Sequence, residues 1–178
     1  MANTYTLIEA KTLGSAVNSI TFSSIPQTYT DLVLKTSIRG TSGSYFTQAC
    51  RVTFNSSTSG YTTITLLNVG SNNVISGTNP YTSAASVSIF ANNAASTTST
   101  FNNSEIYIPN YAGSNNKSFS SDTAVETNSN GSYNVQSGII AGLLSNTAAI
   151  TSITLTAQSG EGDFATNSTF YLYGIKNS

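Results

Sequence analysis

The chain has seven Asp and Glu, six Lys and Arg, a single Cys and no His. Any chemistry must therefore be built from carboxylates and one thiol. The missing His removes the usual general base at neutral pH, the Ser-His-Asp and Cys-His arrangements, and His-based zinc sites. Glycoside hydrolysis, which needs two carboxylates about 5 to 9.5 Å apart, is the main enzymatic option left. Asp122 and Glu126 share a face by parity, yet four residues along a strand separate them by roughly 13 Å. A long-range pair such as Glu105 with Glu126 is the remaining candidate, and no spacing signal points to it. In "GEGDF", Glu161 and Asp163 stand two apart in a Gly-rich turn that could offer oxygens to calcium. Calcium wants six to eight oxygens from periodic acidic ligands, so a plain hairpin turn is the expectation. Cys50 alternates with Val52 and Phe54 in "QACRVTF" and reads as a buried small hydrophobe rather than a reactive thiol. No phosphate-cradling motif is present, since "GSNNVISG" has no following Lys-Ser/Thr or helix start and reads as a loop. These residues lead us to expect no enzyme, no cofactor, and no catalytic, cofactor-binding or metal residues.

The surrounding residues dictate strands. Ser, Thr and Asn supply about 77 of the residues, while charge is far below the usual share of about 25%. Helix formers are scarce and β-branched residues abundant. Tyr, Phe, Ile, Val and Thr recur throughout, unlike in a disordered chain. Period-two alternation is clearest in "TDLVLKTSI", with Leu32, Leu34 and Ile38 one way and Asp31, Val33, Lys35 and Ser37 the other. "QACRVTF" and "SITLTA" repeat it. Further strands are expected in "TYTLI", "NSITF", "YTTITLL", "SVSIF", "SEIYIPN", "SFSSDTAVET", "SYNVQSGIIAG" and "TFYLYGI". Turns rich in Gly, Asn and Ser separate them, "GSNNVISGTNPY" among them. The expectation is an all-β antiparallel β-sandwich of about ten strands with little or no helix. It would form a single domain over residues 1–178, with residues 1–12 as a candidate extended N-terminal arm.

Partners are constrained in the same way. Six scattered cations and a net charge of −1 give no attraction to a phosphate backbone, so no nucleic-acid partner is expected. No apolar run approaches the ~20 residues that span a bilayer, so no membrane partner is expected. The start "MANTYTLIEAKTLGS" has no basic stretch leading into an apolar one, and no secretory signal is expected. Low charge leaves little to blunt sheet edges, which points to an assembly that covers them. Tyr29, Tyr45, Tyr61, Tyr81, Tyr107, Tyr111 and Tyr133 fall near loop junctions. Each would either cap the rim of the core through its hydroxyl or contribute to recognition of a glycan or protein.

Two segments carry a resemblance. "SITFSSIPQTYTDLVLKTSIRG" has Ile25, Pro26, Tyr29, Asp31 and Leu32 in an I-P-x-x-Y-x-D-L pattern. "AITSITLTAQSGEGDFATNSTFYLYGI" has Ile150, Ile153, Leu155, Phe164, Ser168, Phe170, Leu172, Tyr173, Gly174 and Ile175. Together they resemble virion structural proteins of tailed bacteriophages, especially phages of cyanobacteria. The similarity covers about 50 residues at the two ends, and residues 40–148 carry no matching motif. It implies a jelly-roll sandwich, commonly trimeric, found in head decoration (cement) proteins and in fibre or tail components. A homotrimer in the virion, assembled in the host cytoplasm on the major capsid protein or other virion proteins, would follow. The alternative it implies is a receptor-binding fibre module that recognises a host-surface glycan. The terminal "TFYLYGI" is expected to be the second arm of a hairpin begun at "AITSITLTA", with Phe170 and Leu172 on one face and Tyr171 and Tyr173 on the other.

Overall fold

The computed structural model describes residues 4–70, 74–79, 89–128 and 136–176. Twelve antiparallel strands make up two sheets, and no helix occurs among the described residues. The strands are β1 (Tyr5–Thr12), β2 (Ser19–Phe22), β3 (Asp31–Ile38), β4 (Thr47–Phe54), β5 (Tyr61–Asn68) and β6 (Val74–Asn79). They continue as β7 (Ile89–Asn92), β8 (Asn102–Ile108), β9 (Lys117–Val125), β10 (Gln136–Leu144), β11 (Ile153–Ala157) and β12 (Thr169–Ile175). The large sheet runs β1-β12-β3-β8-β9-β10-β5-β6 and the small one β2-β11-β4-β7.

Alternation decides the core. Ile20 and Phe22 of β2, Cys50, Val52 and Phe54 of β4, Ile89 and Ala91 of β7, and Ile153 and Leu155 of β11 form the inner face of the small sheet. They pack on Leu32, Leu34 and Ile38, Ile106 and Ile108, Phe119, Phe170 and Leu172 of the large sheet. Each fully buried Leu, Ile or Phe contributes roughly 1.5–3 kcal/mol, which is why the alternating apolar residues fix the register.

Four expectations are corrected. The stretch 74–79, taken as loop, is β6, because pairing with β5 supplies the order that its own weak periodicity does not. With it the strands among the described residues number twelve, in keeping with the all-β sandwich of about ten that was expected. Residues 5–12 are not an extended arm: β1 pairs with β12 of the same chain along its length, with a register shift between Leu7 and Glu9. The terminal segments do not form a hairpin. β11 lies between β2 and β4 in the small sheet, and β12 between β1 and β3 in the large one. The link crosses between sheets through a turn at Gly160 and Gly162, both with positive φ. Finally, Asp31 and Val33 point away from the core as expected, but are buried. Val33 is flanked in register by Tyr107 and Tyr173, whose rings stand beside it. Parts of "SVSIF" and "SYNVQSGIIAG", with Tyr81 and Tyr133, lie outside the described residues.

The two segments that carry the sequence resemblance meet in both sheets, as β3 with β12 and as β2 with β11. The ring of Tyr29 lies over Gly174, where any side chain would collide with it, and Ile25 N donates to Thr151 O at 3.0 Å.

Candidate interaction surface

The outer face of the large sheet divides into two halves. One register row runs Tyr171, Lys35, Glu105, Asp122, Ile139, Leu66 and Ser76 across successive strands. Its first half is polar and cross-linked. Lys35 Nζ pairs with Glu105 at 2.9 Å, and this hydrogen bond and charge raise the lysine above its ordinary range. Beside them Asp31 accepts from Tyr107 Oη at 2.8 Å and from Asn110 N at 2.8 Å.

The second half, on β10, β5 and β6, is apolar and open. Ile139 is 61% exposed, Ile64 60%, Leu66 53% and Val74 63%. In β5 the usual pattern is inverted: Thr63 and Thr65 are buried while Ile64 and Leu66 face outward. In β10 both faces are apolar, with Ile140 and Leu144 inside and Ile139 and Leu143 outside. No charged residue occurs in positions 52–104 or 127–160, so none stands on these three strands. Sequence reading assigned apolar alternation to the core and therefore missed this face. The signal that could have found it is the threonine alternation in "YTTITLL", which fills the inward positions once Tyr61 is placed in the core.

The carboxylates singled out by sequence do not assemble a reacting pair with Glu126. Glu105 stands opposite Asp122 in register, not Glu126. Asp122 Oδ1 accepts from Glu105 N at 3.1 Å, so both carboxylates are held on an open sheet face. Glu126 lies past the end of β9 and accepts from Asn128 N at 2.6 Å. Glu161 and Asp163 turn to different partners: Ala49 N reaches Glu161 Oε2 at 2.7 Å, and Asn18 Nδ2 reaches Asp163 Oδ1 at 3.3 Å. Cys50 is fully buried, and burial together with the Glu161 charge pushes its thiol up.

Amides, the half-buried Arg39 and the buried Lys117 hold the loops. Asn55, at φ 51°, accepts from Thr151 N at 2.8 Å and Ser152 N at 3.1 Å, and donates to Ala149 O at 2.8 Å. Arg39 donates to Thr97 O and Thr100 O, both at 2.8 Å, and burial lowers its pKa. Lys117 is buried with its Nζ on the carbonyls of Gly113, Asn115 and Thr147, and burial lowers it as well. Their roles became visible only with the loops in place.

The tyrosines separate into buried rings whose hydroxyls cap the core and exposed rings on the surface. Tyr61 accepts from Phe54 N at 2.8 Å and Tyr111 donates to Pro26 O, capping the core rim. Tyr45 is 51% exposed and lines a 260 Å³ cleft with Phe46, Phe90, Gln136 and Glu161. Burial raises Tyr61 and Tyr111 above the ordinary phenol range, and the hydrogen bond to Asp31, followed by burial, raises Tyr107. A raised folded pKa gives stability that is complete below the unfolded value of about 10 and is lost as pH climbs through the folded values. The phenolate absorbance of the buried Tyr61 and Tyr111 is therefore expected to appear together with cooperative unfolding at alkaline pH. One smooth titration of a chain that stays folded would contradict it.

No protein-family model and no curated protein sequence matches the chain.

Proposed function

We propose that this protein is a structural component of a tailed-bacteriophage virion, a decoration (cement) protein. It binds the outer head surface through the major capsid protein or other virion proteins and stabilises the shell. The observation that carries the reading is the strand order. Without the hairpins β5–β6 and β9–β10, the large sheet is β1-β12-β3-β8 and the small one β2-β11-β4-β7. That interleaving suits the two Greek keys of a jelly roll, the fold that the resemblance implies. The segments that carry the resemblance supply β2, β3, β11 and β12, which pair as β2 with β11 and β3 with β12. In this reading the chain is no enzyme, acts as a homotrimer, and is built into the virion in the host cytoplasm. Capsids lacking the protein should gain heat and osmotic resistance when the purified protein is added. Failure to bind such capsids would overturn the proposal.

A second reading, a glycan-recognising module of a head or tail fibre, is favoured by the cleft at Tyr45. Aromatic faces beside a carboxylate and an amide suit a sugar ring. The isolated protein would then compete with phage for host adsorption and lose that competition on Tyr45→Ala. Absence of competition across susceptible strains would remove this reading.

A further inference from the structure

β10, β5 and β6 form one end of the large sheet. The edge strand of the small sheet, β7, packs against β8 and β9, so β10, β5 and β6 continue the large sheet beyond that contact. On this extension the outward residues are Ile64, Leu66, Val74, Ile139 and Leu143, each more than a third exposed. We propose that this charge-free face is the contact through which a second copy of this chain docks.

Three observations select a second copy as the occupant. The first is charge. Positions 52–104 and 127–160 carry none, so two such faces meet without like-charge repulsion and without stripping water from an ion. The polar half of the same sheet face, with Lys35, Glu105 and Asp122, would charge that cost.

The second is the treatment of edges. Exposed edge strands template unwanted pairing and are normally blunted. The edge β1 carries a bulge and the Lys11–Glu9 pair at 2.6 Å. The small-sheet edges β2 and β7 are only four residues each. The edge β6 has six residues, no charge and no proline, and its one strand partner among the described residues is β5. This charge-free edge and the apolar face lie on the same three strands.

The third is area. Three strands at ~4.8 Å spacing and about eight residues at ~3.4 Å rise give a face of roughly 400 Å². That sits within the ~300–600 Å² of the largest patches on monomers, which are often functional. It is about half of the ~800 Å² each partner gives to a standard interface. Thr62, Ser76 and Ser137 lie within that face and add no charge to it. The inverted alternation of β5 fits the same end: Thr63 and Thr65 point inward while Ile64 and Leu66 face outward.

This inference shares with the proposed function only that copies associate, and it is tested with the purified chain and no capsid, so the two fail separately. Light scattering coupled to size exclusion at about 50 μM should give an oligomer. Leu66→Lys with Ile139→Lys should weaken association at least ~10-fold while leaving the far-ultraviolet spectrum unchanged. Leu7→Lys, on the distant edge strand β1, should leave it intact. Should the lysine variant misfold, Ile64→Thr with Leu66→Thr keeps strand propensity and should also dissociate the oligomer. A wild-type monomer at every concentration, or an oligomer indifferent to the folded variants, overturns the proposal.

Discussion

Removing residues 170–178 is expected to abolish cooperative folding, whereas removing 176–178 is expected to leave it intact. The reason is position rather than composition. β12 is an interior strand, paired in register with β1 from Thr169 to Ile175 and with β3 over the same span. The longer deletion takes away Phe170 and Leu172, both fully buried, worth about 3–6 kcal/mol of burial together. It also strips ladder partners from both neighbours, leaves the ring of Tyr29 over an empty slot, and removes the Ile175 O that accepts from Thr30 N at 2.8 Å. A domain holds only about 5–15 kcal/mol in total. The burial loss alone consumes much of that, and the broken ladders exceed the rest. Lys176 is exposed, so the short deletion costs next to nothing. Circular dichroism with a thermal melt decides it: a nine-residue deletion that still melts cooperatively within a few degrees of the full chain would refute the assignment.

Gly142→Val is expected to destabilise the protein by about 3 kcal/mol, a fall of roughly 6–12 °C in Tm for a chain of this size. Glycine within a strand ordinarily weakens it by up to about 1 kcal/mol, so a substitution into open space would stabilise. Here the opposite effect wins. Gly142 faces Phe119 in register, and a Cβ at this position would stand inside the Phe119 ring. That ring is buried and meets Phe54 edge-on at 5.3 Å, so it cannot swing away without opening the core between the sheets. In the Phe119→Leu background the same Gly142→Val change should cost markedly less. Equal costs in both backgrounds would show that the ring is not what the glycine accommodates.

The strands were legible where one face is dry and the other wet. Leu32, Leu34 and Ile38 lie inside as their alternation demands, and Cys50, Val52 and Phe54 do the same. Phe170 and Leu172 face the core, with Tyr171 and Tyr173 opposite. The reading failed where long-range pairing overrode local pattern. "VISGTN" has little periodicity of its own and is a strand because β5 lies beside it. "AITSITLTA" and "TFYLYGI" looked like hairpin arms because nothing local distinguishes a turn within a sheet from a crossing between sheets. The outer apolar face was invisible for a similar reason. Ile64 and Leu66 look like core residues until the neighbouring strands show that Thr63 and Thr65 occupy the inside.

The amino-acid sequence by itself determined that this chain is all-β, that it is nearly devoid of charge, and that it has no imidazole for catalysis at neutral pH. Those properties are local or compositional, and alternation with a period of two reports them directly. Only the tertiary structure decided which strands are neighbours, that the two ends of the chain join both sheets, and that β10, β5 and β6 carry their apolar residues into solvent. Sheet order is set by contacts between residues far apart in the chain, where the free energy of burying one face against another outweighs what any short segment prefers.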